Sequence, residues 1–197
     1  MQPLVRTVKP RHGAAPGLED RDIGKVAPVF IPSSSVETGG WIGPYSILRA
    51  RSIVLTWAVV QSGDSIRYVD HEMQREWEAG GIDWQACALR NLRALSPQPL
   101  GAAALFREDG ETWLISLLHP DGLGPSRLLL ADELARLFPN GYRVALPERN
   151  RAFAFACDLD AEDADTVDNL IRKNYARSER PLSPEIFEPE DLLSATL

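Results

Sequence analysis

The residues best suited to chemistry are few. His71-Glu72 opens like the first half of the HExxH helix, in which two histidines one turn apart hold zinc. The second histidine would stand at position 75, and Arg75 is there instead. Glu72 and Glu76 share a helix face at i, i+4, with Asp70 and His71 beside them. One reading of that group is a hard-metal or carboxylate acid–base site. The plainer one is a solvated helix start, where acids suit the helix dipole. No residue is assigned here as a metal ligand or as catalytic, and no cofactor is implied.

Other motifs fall short. There is no GxSxG, so the nucleophile elbow is missing. Gly17 to Lys25 has six residues between its glycines where a phosphate loop has four, and Val26 stands where Ser or Thr would hold magnesium. Gly39-Gly40-Trp41-Ile42-Gly43 is not GxGxxG. His12, His71 and His119 lie far apart, in an arm, at a helix start and before a Pro-Asp-Gly turn. Cys87 and Cys157 form no CxxC, and both read as core thiols, Cys157 closing an apolar strand face.

Two positions suggest binding. Trp41 sits among glycines in a long loop, and an exposed Trp is a favoured interface anchor; the alternative is a Trp folded back onto its own domain. Arg149, followed by Asn150 in a tight loop after Pro147, can present a guanidinium to a carboxylate or phosphate; the alternative is a solvated hairpin tip. Trp41, Arg149 and Asn150 are therefore the candidate partner-binding residues.

The elements that must position them follow from pattern. Residues 1–27 mix Pro, Gly and charge without a period and read as an irregular N-terminal arm. Residues 28–197 read as one domain with an extended C-terminal tail. Val29–Ile31 is a short strand, and residues 32–46 are loop. Ser46–Gln61 is one long strand or two in series. Its apolar residues on both faces (Ile53, Leu55, Trp57 and Val59 against Val54, Ala58 and Val60) predict a central strand covered on both sides. Ser62-Gly63-Asp64 turns into a return strand, Ile66–Val69. Asp70 and Asp83 cap two helices, the first ended by Gly80-Gly81 and the second by Pro97 and Pro99. Asp109-Gly110 joins Ala102–Arg107 to Thr112–Leu118 in a hairpin. A helix spans Ala131–Phe138. A second hairpin joins Tyr142–Leu146 to Arg151–Cys157, and its alanine face (Ala152, Ala154, Ala156) predicts a closely packed helix. The last helix, Asp160–Tyr175, carries the stripe Ala164, Val167, Ile171, Tyr175. Hairpins outnumber βαβ units, so the expected class is α+β, an antiparallel or mixed sheet with helices packed on it.

Composition bounds the function. The chain has 197 residues, with apolar and charged fractions of 44% and 25%, which suits one globular domain that needs no staple. The net charge is −7, concentrated between Asp158 and Asp191, where eleven acids meet four bases. An acidic chain without a basic stripe is a poor partner for nucleic acid. The longest apolar run, Ile53–Val60, is far below the ~20 residues of a membrane helix. With no apolar leader and two separated cysteines, the expectation is a cytoplasmic protein that engages neither nucleic acid nor membrane.

Several segments together resemble the uncharacterised bacterial family called YtpQ (DUF1444). They are Ile66-Arg67-Tyr68-Val69 followed by a helix, Ala88-Leu89-Arg90-Asn91-Leu92, Tyr142-Arg143-Val144-Ala145-Leu146-Pro147 with Arg149, and Asn174-Tyr175 through Pro181-Leu182-Ser183-Pro184-Glu185-Ile186-Phe187. The likeness covers roughly residues 50–187. Asn150 departs from the Asp that the resemblance implies after the arginine, which argues against a charged pair in that loop. The resemblance brings a fold and no activity. The functional expectation is a non-catalytic protein-binding module, such as an adaptor, immunity-type inhibitor or secretion chaperone, acting through a sheet face or the acidic C-terminal region. Carboxylate or metal chemistry near residues 70–76 and a homo-oligomeric structural component are the alternatives.

Overall fold

The computed structural model describes residues 22–61, 65–97, 100 and 103–195. The chain is α+β, built on two antiparallel sheets where one was expected. In the first, β1 (Val26–Pro32) pairs with β3 (Ile53–Val60) along its whole length. The other side of β3 is shared by β2 (Tyr45–Ile47) and, further along, β4 (Ile66–Tyr68). The second sheet has the order β5 (Ala103–Phe106), β6 (Thr112–Leu118), β8 (Arg151–Ala156), β7 (Tyr142–Glu148), β9 (Ile186–Phe187). The helices that lie wholly within the described residues are α1 (Ser34–Glu37), α2 (His71–Ala79), α3 (Trp84–Leu95), α4 (Ala131–Leu137) and α5 (Ala161–Arg177). The predicted turn at 62–64 and His12 lie outside the described residues.

β3 is the central strand its double apolar pattern predicts. One face carries Ala58, which joins Ala27 and Val29 in the core shared with the second sheet. The other carries Trp57 and Val59, which pack with Trp77 of α2 and Trp84 and Ala88 of α3. Both helices start as the sequence predicts. Asp70 accepts hydrogen bonds from Glu72 N and Met73 N, and Asp83 from Ala86 N, satisfying amides that have no intrahelical partner.

A 3₁₀ turn at Pro125–Leu129 is wedged against β1, β6, β8 and α3. At its centre Arg127 is only 1% exposed. Its guanidinium donates to Asp121 Oδ1 (3.0 Å) and Oδ2 (2.6 Å), to Ser96 Oγ (3.1 Å) and to Leu95 O (3.1 Å). The bidentate fork neutralises the buried charge, and the other two bonds quiet the carbonyl end of α3. Burial would push Asp121 up, but Arg127 and the Leu123 N–H outweigh it and hold the carboxyl below its ordinary range. Beside them, burial and the Arg127 charge lower the pKa of His119.

Several expectations are corrected. The arm ends before residue 26, since Val26 and Ala27 are fully buried in β1. The loop assigned to 32–46 contains α1 and the first two residues of β2. Helix α5 lies on the phenylalanine face of β8: Arg151, in phase with Phe153 and Phe155, donates to Asn174 of α5 at 2.7 Å. The alanine face turns inward toward the wedge. β8 stops at Ala156, so Cys157 falls in a turn and is exposed, and Cys87 is only partly buried. Ala164 is exposed, and the stripe of α5 begins at Val167.

The C-terminal tail is docked along its described length. Leu182 N and Ser183 N donate to Pro147 O and Leu146 O, and β9 pairs with β7. The tail then crosses to the first sheet, where Ala50 N, Arg49 N and Ile47 O bond Asp191 O, Leu193 O and Ala195 N. It therefore stitches the two sheets together. The acidic region is partly spent internally: Asp158 pairs with Arg107, Asp168 with Arg172 and Glu188 with Arg143.

Candidate functional site

Two of the three predicted binding residues meet through a third that the sequence did not single out. Trp41 rests edge-on against Tyr68 of β4, with ring centroids 4.8 Å apart and planes at 72°. Arg149, at the β7–β8 tip, lies over the same Tyr68 ring at 6.0 Å. Trp41 thus folds back onto its own domain, as the plainer reading has it, yet its Nε1 is buried without a hydrogen-bond partner among the described residues. Arg149 is no free tip either, because its N–H donates to Arg180 O (3.1 Å). Asn150 completes the turn, and its carbonyl approaches Gly124 so closely that a Cβ there would sit 2.7 Å away.

Register shows what Tyr68 belongs to. Tyr68 stands opposite Ala58, Tyr45 opposite Thr56 and Ile47 opposite Val54. Residues 54, 56 and 58 share one face of β3, and directly paired residues point the same way, so Ile47, Tyr45 and Tyr68 form one row on one face. Two strand residues, about 7 Å, separate the Tyr45 and Tyr68 positions along the edge. Tyr45 and Ile47 are 46% and 56% exposed, and Ile42 72%. Tyr45, Ile47, Val36 and Val54 line a groove of about 610 Å³, whose wall also carries Glu37, Arg49 and Arg51. Neither arginine has a carboxylate partner among the described residues. The strip is apolar along its centre, with Arg49 and Arg51 beside Glu37 at one end and Arg149 at the other, so that arginines outnumber acids.

Gly43 fixes the loop that carries Trp41 and Ile42. A Cβ at this position would lie 2.2 Å from Val69 O, a backbone atom that cannot swing aside. Gly43→Ala is expected to cost about 1–3 kcal/mol through forced backbone movement. Urea unfolding measures that cost. The Trp41 fluorescence of the folded variant should also change as the ring leaves Tyr68.

The carboxylate group is arranged differently. Asp70, Glu72 and Glu76 line a small groove of about 220 Å³ with Asp22 and Arg67. The Asp70 carboxylate is committed to its cap, Asp22 pairs with Arg67, and His71 Nδ1 turns to Gln74 at 3.1 Å. Among the described residues no three His, Cys, Asp or Glu side chains are grouped to hold a metal ion. No described helix is long and apolar enough to cross a membrane.

Tyr45 and Ile47 escaped sequence reasoning because β2 is three residues long and follows a Gly- and Pro-rich stretch. Their i, i+2 spacing before the Ile53–Val60 run was the available signal. Comparison with protein-family models, curated proteins and solved structures finds no match.

Proposed function

We propose that the protein is a protein-binding module that recognises its partner through this strip. The observation that carries the reading is the row Ile47–Tyr45–Tyr68, with its first two members half-exposed and its third bracketed by Trp41 and Arg149. Aromatic and arginine side chains held by a rigid sheet supply contact area at low entropic cost, which is the composition of interface hot spots. The partner surface that fits has apolar side chains between acidic groups, complementary to Tyr45 and Ile47 flanked by Arg49, Arg51 and Arg149. The likeness to the YtpQ family is compatible with this reading and assigns no activity.

The test is affinity capture of the tagged chain from its host, compared with Ile47→Asp. The wild type is expected to hold one stoichiometric partner that the variant loses. Because Ile47 is half-exposed, stability should stay within about 0.5 kcal/mol. Equal capture by both proteins would contradict the assignment, as would the absence of any partner.

A second reading rests on β5. Its outer edge is unpaired among the described residues, and it exposes Leu105 (47%) and Phe106 (62%), the kind of edge that pairs with another copy. Sedimentation at micromolar concentration separates this homo-oligomeric reading from the first.

A further inference from the structure

We infer a second binding site, for a phosphoryl group, in the depression between the β7–β8 tip and the C-terminal end of α5. The depression is about 340 Å³ and is lined by Arg149, Arg177 and Arg180, with Asn150, Ser178 and two glutamates. Eight other arginines in the described residues pair with a carboxylate, from Arg67 to Arg172. The three in this depression have no carboxylate partner among the described residues, as is also true of Arg49, Arg51, Arg75 and Arg90; what sets them apart is that they share one concavity, with glutamates in the same lining. Glu148 is turned to Arg151 at 3.7 Å, and Glu179 is exposed. Three unpaired guanidiniums in one concavity of a chain with net charge −7 concentrate a positive potential against the protein's own average.

The backbone that presents them is fixed. Arg149 N donates to Arg180 O at 3.1 Å, Glu148 bridges Pro181, and Arg180 N donates to Ser178 Oγ at 3.0 Å. The backbone need not order on binding; the cost is confined to the arginine side chains. The negative end of α5 opposes part of the Arg177 field, so binding depends on the three arginines together. Three planar forks offer more donors than the two oxygens of one carboxylate can take up, whereas a phosphoryl group presents three oxygens and up to two charges. The wall is almost wholly polar, which suits the phosphoryl group itself rather than an apolar body attached to it. Arg149 belongs to both this site and the strip, and the two readings are told apart by Arg177 and Arg180, which take no part in the strip.

The experiment is titration of the full chain at low ionic strength with inorganic phosphate, acetate, O-phosphoserine and a short neutral peptide carrying phosphoserine, read by calorimetry and by the arginine Nε–H resonances. Phosphate should bind saturably and at least about tenfold more tightly than acetate, since each charge-assisted bond is worth that much or more. The resonances of Arg149, Arg177 and Arg180 should shift while that of Arg143 stays. Arg177→Gln/Arg180→Gln should weaken phosphate at least about tenfold, and Arg143→Gln should leave it unchanged. Equal affinity for phosphoserine free and in the peptide assigns a small phosphate ester; tighter peptide binding assigns a modified protein. Phosphate no tighter than acetate, unshifted arginine resonances or indifference to the double substitution would overturn the site. The wild-type resonances decide the matter even if the double variant folds poorly, and Ile47→Asp should bind phosphate normally.

Discussion

Asp121→Ala is expected to destabilise the protein by about 3–5 kcal/mol, the cost of stripping a buried charge of its partner. Arg127 is 1% exposed, so its guanidinium is buried in the folded chain. Its remaining bonds, to Ser96 Oγ and Leu95 O, come from uncharged acceptors. The loss propagates because the wedge that holds Arg127 touches both sheets and α3. Arg127→Met in the same background should recover part of the cost, since removing both charges avoids the orphan. The Asp121 carboxyl titrates below its ordinary value of 3.8 in the folded chain. Its charge therefore contributes stability that is fully present above that value and is lost as pH falls through the lower folded pKa. Wild type and Asp121→Ala should converge in that acid range. Urea unfolding at neutral and acid pH measures both effects, and a neutral-pH cost below about 1 kcal/mol would show that the fork is not what pins the wedge.

Trp57→Ala is expected to cost about 3–5 kcal/mol, and Trp41→Ala about 1 kcal/mol. Trp57 is 5% exposed and meets Trp84 edge-on at 4.8 Å, with Trp77 6.0 Å beyond Trp84. Truncation opens a cavity between β3 and the pair α2–α3, and the sheet cannot collapse to fill it. Trp41 is only partly buried and forms its ring contact with Tyr68 alone among the described aromatics. Its indole N–H has no partner among the described residues, so its loss orphans no described acceptor. Matched urea titrations with equal m-values test the order, and a reversal would mean that Trp41 is the core residue and Trp57 is not.

Elements with strong local signals were legible in the sequence. β3 was readable because apolar residues on both strand faces have few explanations other than a central strand. α2 and α3 were readable because Asp70 and Asp83 cap them, and the β5–β6 hairpin because Asp109-Gly110 turns it. The division into two sheets was not, since it depends on which strands pair across long separations, and local pattern carries nothing of that. The phase of α5 misled for a related reason. Small residues on a strand show that something approaches closely, and here the close approach is toward the wedge. Trp41 and Arg149 were identifiable by type and loop context, but their meeting over Tyr68 is tertiary. Arg127 was invisible: a lone arginine after Gly-Pro-Ser has no marker of burial, and its partner Asp121 looked like ordinary turn chemistry.

The central claim is that the Ile47–Tyr45–Tyr68 row contacts a partner. Photo-crosslinking in the host, from a diazirine side chain at position 47 and, as control, at exposed Asn169 on α5, tests it most directly. A single partner crosslinked from position 47 and absent from position 169, with Arg49→Glu/Arg51→Glu weakening the yield, is the predicted result. The same products from both positions, or none from position 47, would contradict it.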